Sequence, residues 1–165
     1  MRRAYLELGS NLGERFEHLR AGVSALAAAE GVRMVRVSGV YSSEPVGLSE
    51  QPEFLNIVVE IETELEPRRL LSLAREIEAG RGRERKERWG PRTLDVDILL
   101  YGDLELADPE LTIPHPRMAE RRFVLEPLCE IAPEAALPDG TAVGELLVGL
   151  EDDRWVRRDR DLVIE

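Results

Sequence analysis

The order in which two hydrophobic periods alternate along this chain limits its fold more than any other feature. AYLEL, residues 4–8, alternates with Tyr5 opposite Leu6 and Leu8, which predicts a short strand. GSNLG follows as a turn whose Ser10 or Asn11 can cap a helix. Between Gly13 and Glu30, the residues Phe16, Leu19, Val23, Leu26 and Ala27 recur at helical spacing, and Gly31 ends that helix. Valine-rich VRMVRVSGVYSS, from Val32, alternates again as a strand. The segment Ser42 to Glu53 is a Pro-, Gly- and Ser-rich loop, and FLNIVVEIETEL after it returns to strand pattern. Pro67 opens a second helix running to about Ala79, with Leu70, Leu71, Ala74 and Ile77 as its buried face. After the irregular GRGRERKERWGPR comes the strand LDVDILLYG. Six prolines (Pro109, Pro114, Pro116, Pro127, Pro133 and Pro138) mark the remainder as mostly loop, with short helices near Met118 and from Thr141 to Leu150.

The resulting order, β-α-β-β-α-β, predicts an α+β fold of ferredoxin-like type. Its antiparallel sheet would carry both helices on one face, and a C-terminal extension would follow. The 165 residues suit one domain spanning residues 1–165. That fold alone assigns no function. A net charge of -11 argues against a nucleic-acid binder or a membrane-surface protein. The N-terminal MRRAYLELGSNLG has no apolar run of secretory length, and no segment is apolar enough to span a bilayer. The single cysteine, Cys129, rules out an internal disulfide framework and suits a reducing cytoplasm, where a buried and inert thiol is expected.

Within LDVDILLYG, Asp95 and Asp97 are two apart, so they share a face of the strand at a separation of about 6–7 Å. Leu94, Val96, Ile98 and Leu100 would form the opposite, apolar face, while Leu99 and Tyr101 share the aspartate side. Two like charges so close repel unless a cation compensates, and paired carboxylates on a rigid strand suit Mg²⁺, which fills its shell with waters and substrate phosphates. Just before them, residues 81–92 carry six basic and two acidic side chains, a local charge of +4 that leaves -15 for the rest. Arginine forks match phosphate oxygens, and metal plus arginine is a recurrent clamp in phosphoryl transfer. Trp89 offers an aromatic anchor or lid within this segment. His115, held between two prolines, can donate to phosphate if the chain brings it near the aspartates; the other histidine, His18, is expected on a helix surface. Phe54 and Asn56 offer a stacking surface and an amide for a flat heterocycle. The chain has no P-loop, no dinucleotide fingerprint and no Cys/His cluster for zinc.

Taken together, RWGPRTLDVDILLYGD, AYLELGSNLG, YSSEPVG, QPEFLN, IPHPRM, RFVLEPLCEIAPE and PDG, in this order, closely resemble the 6-hydroxymethyl-7,8-dihydropterin pyrophosphokinase family over nearly the whole chain. The resemblance implies a cytoplasmic enzyme of folate biosynthesis, expected to act as a monomer. It would move pyrophosphate from its co-substrate ATP to the hydroxymethyl group of 6-hydroxymethyl-7,8-dihydropterin, with two Mg²⁺ ions, and release AMP. It assigns Asp95 and Asp97 to the ions and Arg83 and Arg92 to the phosphates during catalysis. Arg85, Lys86, Arg88, Trp89, His115 and Arg121 would also meet ATP. Leu71, Arg75, Glu78, Ile98 and Thr112 fall where the family touches the nucleotide. Phe54 and Phe123 would sandwich the pterin, Asn56 would recognise it, Ser43 and Val46 would complete its pocket, and Trp89 would close over it. The segments Ser42–Glu53 and Gly80–Pro91 are expected to act as lids. Two other readings stay open from the residues alone. A ferredoxin-like RNA-binding domain would need aromatic signatures and a basic face, and a two-metal phosphotransferase or nuclease would act on another substrate.

Overall fold

The computed structural model describes residues 1–43, 53–81, 93–151 and 155–161. A six-stranded antiparallel sheet organises the chain. Its strands are β1 (Arg2–Ser10), β2 (Val32–Val37), β3 (Val40–Ser43), β4 (Phe54–Thr63), β5 (Asp95–Tyr101) and β8 (Val156–Arg160), in the order β5-β1-β4-β3-β8, with β2 also paired to β4. The helices α1 (Arg15–Ala28) and α2 (Pro67–Gly80) separate β1 from β2 and β4 from β5. A two-stranded hairpin, β6 (Leu106–Ala107) and β7 (Thr112–Ile113), follows β5. Next come a 3-10 turn at Met118–Glu120, α3 (Arg122–Ile131) and α4 (Val143–Val148). Among the described residues no helix is long and apolar enough to cross a membrane.

Both faces of the sheet are covered. Leu6 and Leu8 of β1, Leu55, Ile57, Val59 and Ile61 of β4, and Val96 and Ile98 of β5 meet Leu19, Val23 and Leu26 of α1 and Leu70, Ala74 and Ile77 of α2. Gly22 brings α1 close, because a Cβ there would lie 2.8 Å from Leu8 Cδ2. The opposite face packs Tyr5, Val58, Leu99 and Leu100 against Met118, Val124, Leu128 and Ile131. Tyr5 thus faces away from Leu6 and Leu8, as the alternation of AYLEL predicts.

Several expectations change. The strand from Val32 is two strands, because Ser38 and Gly39 interrupt it: Ser38 Oγ accepts the Val58 N–H at 2.9 Å, and the Gly39 N–H turns to the Glu130 carboxylate. Neither Ser10 nor Asn11 caps α1; Glu14 occupies the cap position, with no side-chain cap bond. Ala27 is exposed, and on α2 Leu73 is buried where Leu71 is only half-buried. In β5 the pairing with β1 shifts between Tyr5 and Leu6, leaving Leu99 as an extra residue. Leu100 therefore joins the second core and Tyr101 the first, the reverse of strict alternation. The proline-rich remainder is more regular than predicted. Val124, Leu125, Leu128 and Ile131 form a buried stripe that sustains α3 through Pro127; α1 and α2 share one face as expected, and α3 adds a cover on the other. The chain also returns as β8 at the sheet edge, which local pattern did not foretell.

Candidate active site

Strand register assembles a polar strip in the middle of the second face. Directly paired residues of neighbouring strands stand side by side on one face. Glu7 pairs with Asp97 on one side and Val58 on the other; Gly9 pairs with Asp95 and Asn56; Asn56 pairs with Tyr41, and Phe54 with Ser43. One strip thus runs from Asp95 and Asp97 on β5, past Glu7 and Gly9, to Asn56, Phe54 and Ser43. Position 9 suits glycine here, since a Cβ would lie 3.0 Å from both Asn56 Oδ1 and Glu7 Oε1. Asn56 is buried and donates from Nδ2 to Ser43 Oγ at 2.7 Å, which fixes the amide and leaves its oxygen toward the Gly9 side.

Glu7 is the site residue that sequence reasoning missed. Its signal was present as a charged residue in the alternation of AYLEL, but at the strand level it reads as a solvent-facing position. It is only 4% exposed. Burial first, then the charges of Asp97 and Asp95, push its carboxyl well above the usual carboxylate range, while Arg121 opposes them. Crowding of negative charge on this strip therefore shows on Glu7. Among the described residues no three His, Cys, Asp or Glu side chains converge around one ion position.

At the open edge of β5 lies a cleft of about 210 Å³ lined by Leu71, Arg75, Asp97, Ile98, Thr112 and His115 together with the Pro109–Leu111 turn and Pro116. Helix α2 supplies one wall, β5 the floor and the chain around β7 the other wall. Behind Arg75, Glu78 is buried and accepts the Val96 N–H at 2.8 Å. The predicted nucleotide residues Leu71, Arg75, Ile98, Thr112 and His115 therefore gather in one place, with Asp97 at its border, and Glu78 braces it from behind. Arg121 lies at 5.6 Å over the Phe123 ring, at the start of α3. Arg83, Arg85, Lys86, Arg88, Trp89, Arg92 and Val46 lie outside the described residues, as do most of the two predicted lids. His18 is half-buried rather than on the surface and accepts from Arg81 Nε at 3.0 Å. Cys129 is half-buried, and burial pushes its thiol up, so it stays protonated.

His115 is held by its backbone and its ring. Its N–H donates to the Leu99 carbonyl at 2.9 Å, and its Nδ1 accepts the Arg117 N–H at 3.2 Å. The neutral ring therefore carries its proton on Nε2, free to donate into the cleft. Burial first, then Arg121 and Arg117, lower its pKa from 6.5 to about 4. In the unfolded chain the ring protonates near 6.5, whereas the folded chain resists protonation until about 4. The unfolded state binds more protons in that window, so stability falls as pH drops through it, by on the order of 2–3 kcal/mol. Urea unfolding of His115→Gln is expected to show a smaller loss between pH 7 and pH 4 than the parent. An equal loss in both proteins removes His115 as the cause.

Comparison with known proteins places the sequence in a family. Residues 5–133 match the family described as 7,8-dihydro-6-hydroxymethylpterin-pyrophosphokinase. The chain is 43% identical over 154 residues to the 2-amino-4-hydroxy-6-hydroxymethyldihydropteridine pyrophosphokinase of Haemophilus influenzae, covering 93% of this chain and 96% of that protein. It is 46% identical over 147 residues to the protein of the same name from Pseudomonas aeruginosa, covering 89% and 91%. For the Bacillus subtilis protein of that name the identity is 49% over 128 residues, covering 78% and 77%. Among solved structures, an HPPK-DHPS in complex with substrates superposes with a TM-score of 0.70 at 13% identity, over 89% of this chain and 43% of that one. Wild-type HPPK-DHPS of Plasmodium falciparum with pteroate gives 0.67 at 15% identity, over 89% and 42%. This chain spans under half of those two, and at such identity they speak for the fold alone.

Proposed function

Because this chain belongs to the 7,8-dihydro-6-hydroxymethylpterin-pyrophosphokinase family and transfers pyrophosphate from ATP to hydroxymethyldihydropterin in folate biosynthesis, we propose how its residues divide that reaction. The cleft at the β5 edge takes the nucleotide, and the Asn56–Phe54–Ser43 end of the strip takes the pterin. Asp95 and Asp97 hold Mg²⁺ between the two. The observation that carries this reading is the single cleft that gathers Leu71, Arg75, Ile98, Thr112 and His115 beside Asp97.

The donor set fits Mg²⁺. Three carboxyl groups stand on one strip, the charges of the aspartates raise the pKa of Glu7, and Arg121 is the cation acting against them. Asp95, Asp97 and Glu7 offer hard oxygen ligands, the kind preferred by an ion that completes its shell with phosphate and water. Bound there, Mg²⁺ would neutralise phosphate charge and polarise the β-phosphoryl group. The protein's own groups do the rest. Leu71, Ile98 and Thr112 seat the nucleotide base; His115 Nε2–H and Arg121 donate to phosphate; Arg92, which lies within the family signature, and Arg83, which matches a family position before it, are assigned to the same oxygens. Asn56 offers its amide to the pterin edge, and Phe54 and Phe123 offer rings to its faces. The substrate hydroxyl then attacks the β-phosphorus in line. A new O–P bond forms, the hydroxyl's proton is released to solvent, the bond between the α,β-bridging oxygen and the β-phosphorus breaks, and AMP leaves with that oxygen.

The strand order also supports the ferredoxin-like reading, with β2 and β3 together standing where that fold has a single strand. The RNA-binding reading loses its ground, because it needs a free sheet face and α3 packs on the second face. Incubation with Mg-ATP and 6-hydroxymethyl-7,8-dihydropterin is expected to release AMP and pyrophosphorylated pterin in equal amounts. ADP as product, or nucleotide turnover that ignores the pterin, overturns the assignment.

A further inference from the structure

Strand β8 lies beyond residues 5–133, the part of the chain that matches the family. Its position is informative. It pairs with β3 through Val40↔Arg160, Tyr41↔Arg158, Ser42↔Arg157 and Ser43↔Val156. Strand β3 has only four residues, and three of them pair with β4 at Asn56, Leu55 and Phe54. Without β8 it would be a very short edge strand, the element of a sheet most prone to fray. With β8 it is an interior strand on which every residue is buried.

A side-chain fork ties the same place together. The Glu130 carboxylate on α3 accepts the Tyr41 hydroxyl at 2.8 Å, the Gly39 N–H at 3.1 Å and Arg158 Nε at 3.2 Å. Burial works against its charge, but the bonds from Arg158, Tyr41 and Gly39 outweigh it and hold the carboxyl below its usual range. The Arg158 guanidinium lies so close on the backbone that a Cβ at position 39 would sit 2.5 Å from Nη2. Asp161 pairs with the same guanidinium. The far side of the adjoining strand is held as well, since Arg157 faces the Glu53 carboxylate at 3.8 Å and Arg15 Nη1 donates to the Glu53 carbonyl at 2.6 Å, one residue before Phe54.

We propose that β8 is a positioning element for pterin recognition, fixing through the Arg158–Glu130–Tyr41 fork the strand that presents Ser43 beside Phe54 and Asn56. This rests on the assignment of those three residues to the pterin. The effect should be one-sided. The nucleotide cleft lies at β5, the opposite end of the strand order from β8, with β1 and β4 between it and β3. Loosening the fork should move Ser43 and the Asn56 amide it holds, and leave Leu71, Ile98 and Thr112 where they are.

Binding of 6-hydroxymethyl-7,8-dihydropterin, in the presence of Mg²⁺ and a non-hydrolysable ATP analogue, separates the possibilities when measured beside binding of the analogue alone. Loss of a charge-assisted fork predicts that Arg158→Ala weakens pterin binding about tenfold, with the analogue's affinity unchanged and partial recovery in Arg158→Lys. Tyr41→Phe, which removes one hydroxyl and keeps the ion pair, is expected to weaken the pterin about threefold and supplies the same split should Arg158→Ala fail to fold. An unchanged pterin affinity, or equal losses for both ligands, overturns the positioning role and leaves β8 a purely structural strand. Asn56→Ala is the reference. If it leaves pterin affinity intact, the assignment beneath the proposal is wrong; if it abolishes binding while the fork variants do not, only the role of β8 falls.

Discussion

Asp97→Asn is expected to reduce turnover by about 10³-fold or more while the protein stays folded. The side chain borders the nucleotide cleft and stands directly across from Glu7. In the proposed division of roles its carboxylate holds Mg²⁺ against the phosphates, where negative charge builds up during transfer, so loss of that ligand charge weighs on the rate. Its contribution to stability has the opposite sign. The Asp97 charge is the largest electrostatic cause that raises the Glu7 carboxyl. A neutral amide at position 97 therefore lets Glu7 ionise at lower cost, and the thermal midpoint should hold or rise. The decisive pair of measurements is kcat at saturating substrates and Mg²⁺, and the melting curve at neutral pH. Near-parental kcat would contradict the metal role. A lower midpoint together with lost activity would mean that Asp97 acts through structure.

How far the sequence alone carried the fold and the site depended on whether the decisive contacts were local. Alternation placed β1, β4 and β5, and helical spacing placed α1 and α2, because each buries one face against the same core. Those signals are written into neighbouring residues. The break at Ser38–Gly39 is not, since it is set by Val58 and by Glu130, which is 91 residues from Gly39. Helix α3 was hidden by Pro127, a strong local breaker that a buried stripe of four apolar residues overrides. Strand β8 has only one apolar residue in VRRDR and exists through its partner β3, so no window of its own sequence could reveal it. At the site, the aspartate pair stood out because charge interrupts an apolar run. Glu7 did not, because a charge in a half-polar alternation looks ordinary until β5 is laid beside it. His115 could be suspected from its prolines, but its approach to Asp97 and Arg75 required the turn after β7 to fold back on β5.

Glu78→Leu should cost about 2–4 kcal/mol of stability and weaken nucleotide binding at the same time. The reason lies in the edge of β5. Among the described residues this strand ends the sheet, and no strand pairs with the peptide of Val96 on its outer side. Two side chains from α2 stand in for one. Glu78 Oε2 accepts the Val96 N–H at 2.8 Å, and Arg75 Nη1 approaches the Val96 carbonyl at 3.4 Å. The two are themselves joined, with Arg75 Nη1 at 3.0 Å from Glu78 Oε2. Val96 sits between Asp95 and Asp97, so pinning its peptide fixes the direction of both carboxylates, and capping the edge also blocks pairing with another chain. Leucine preserves bulk and helix propensity but leaves a buried N–H without an acceptor and frees Arg75 from the wall of the cleft. Glu78→Gln can still accept that N–H through its amide oxygen, so it should retain most of the stability while loosening Arg75. Urea unfolding and titration with an ATP analogue, applied to both variants, test this division. If Glu78→Leu is as stable as the parent, the Val96 bond is not what holds the edge. If Glu78→Gln binds nucleotide like the parent, Arg75 needs no charged partner to line the cleft.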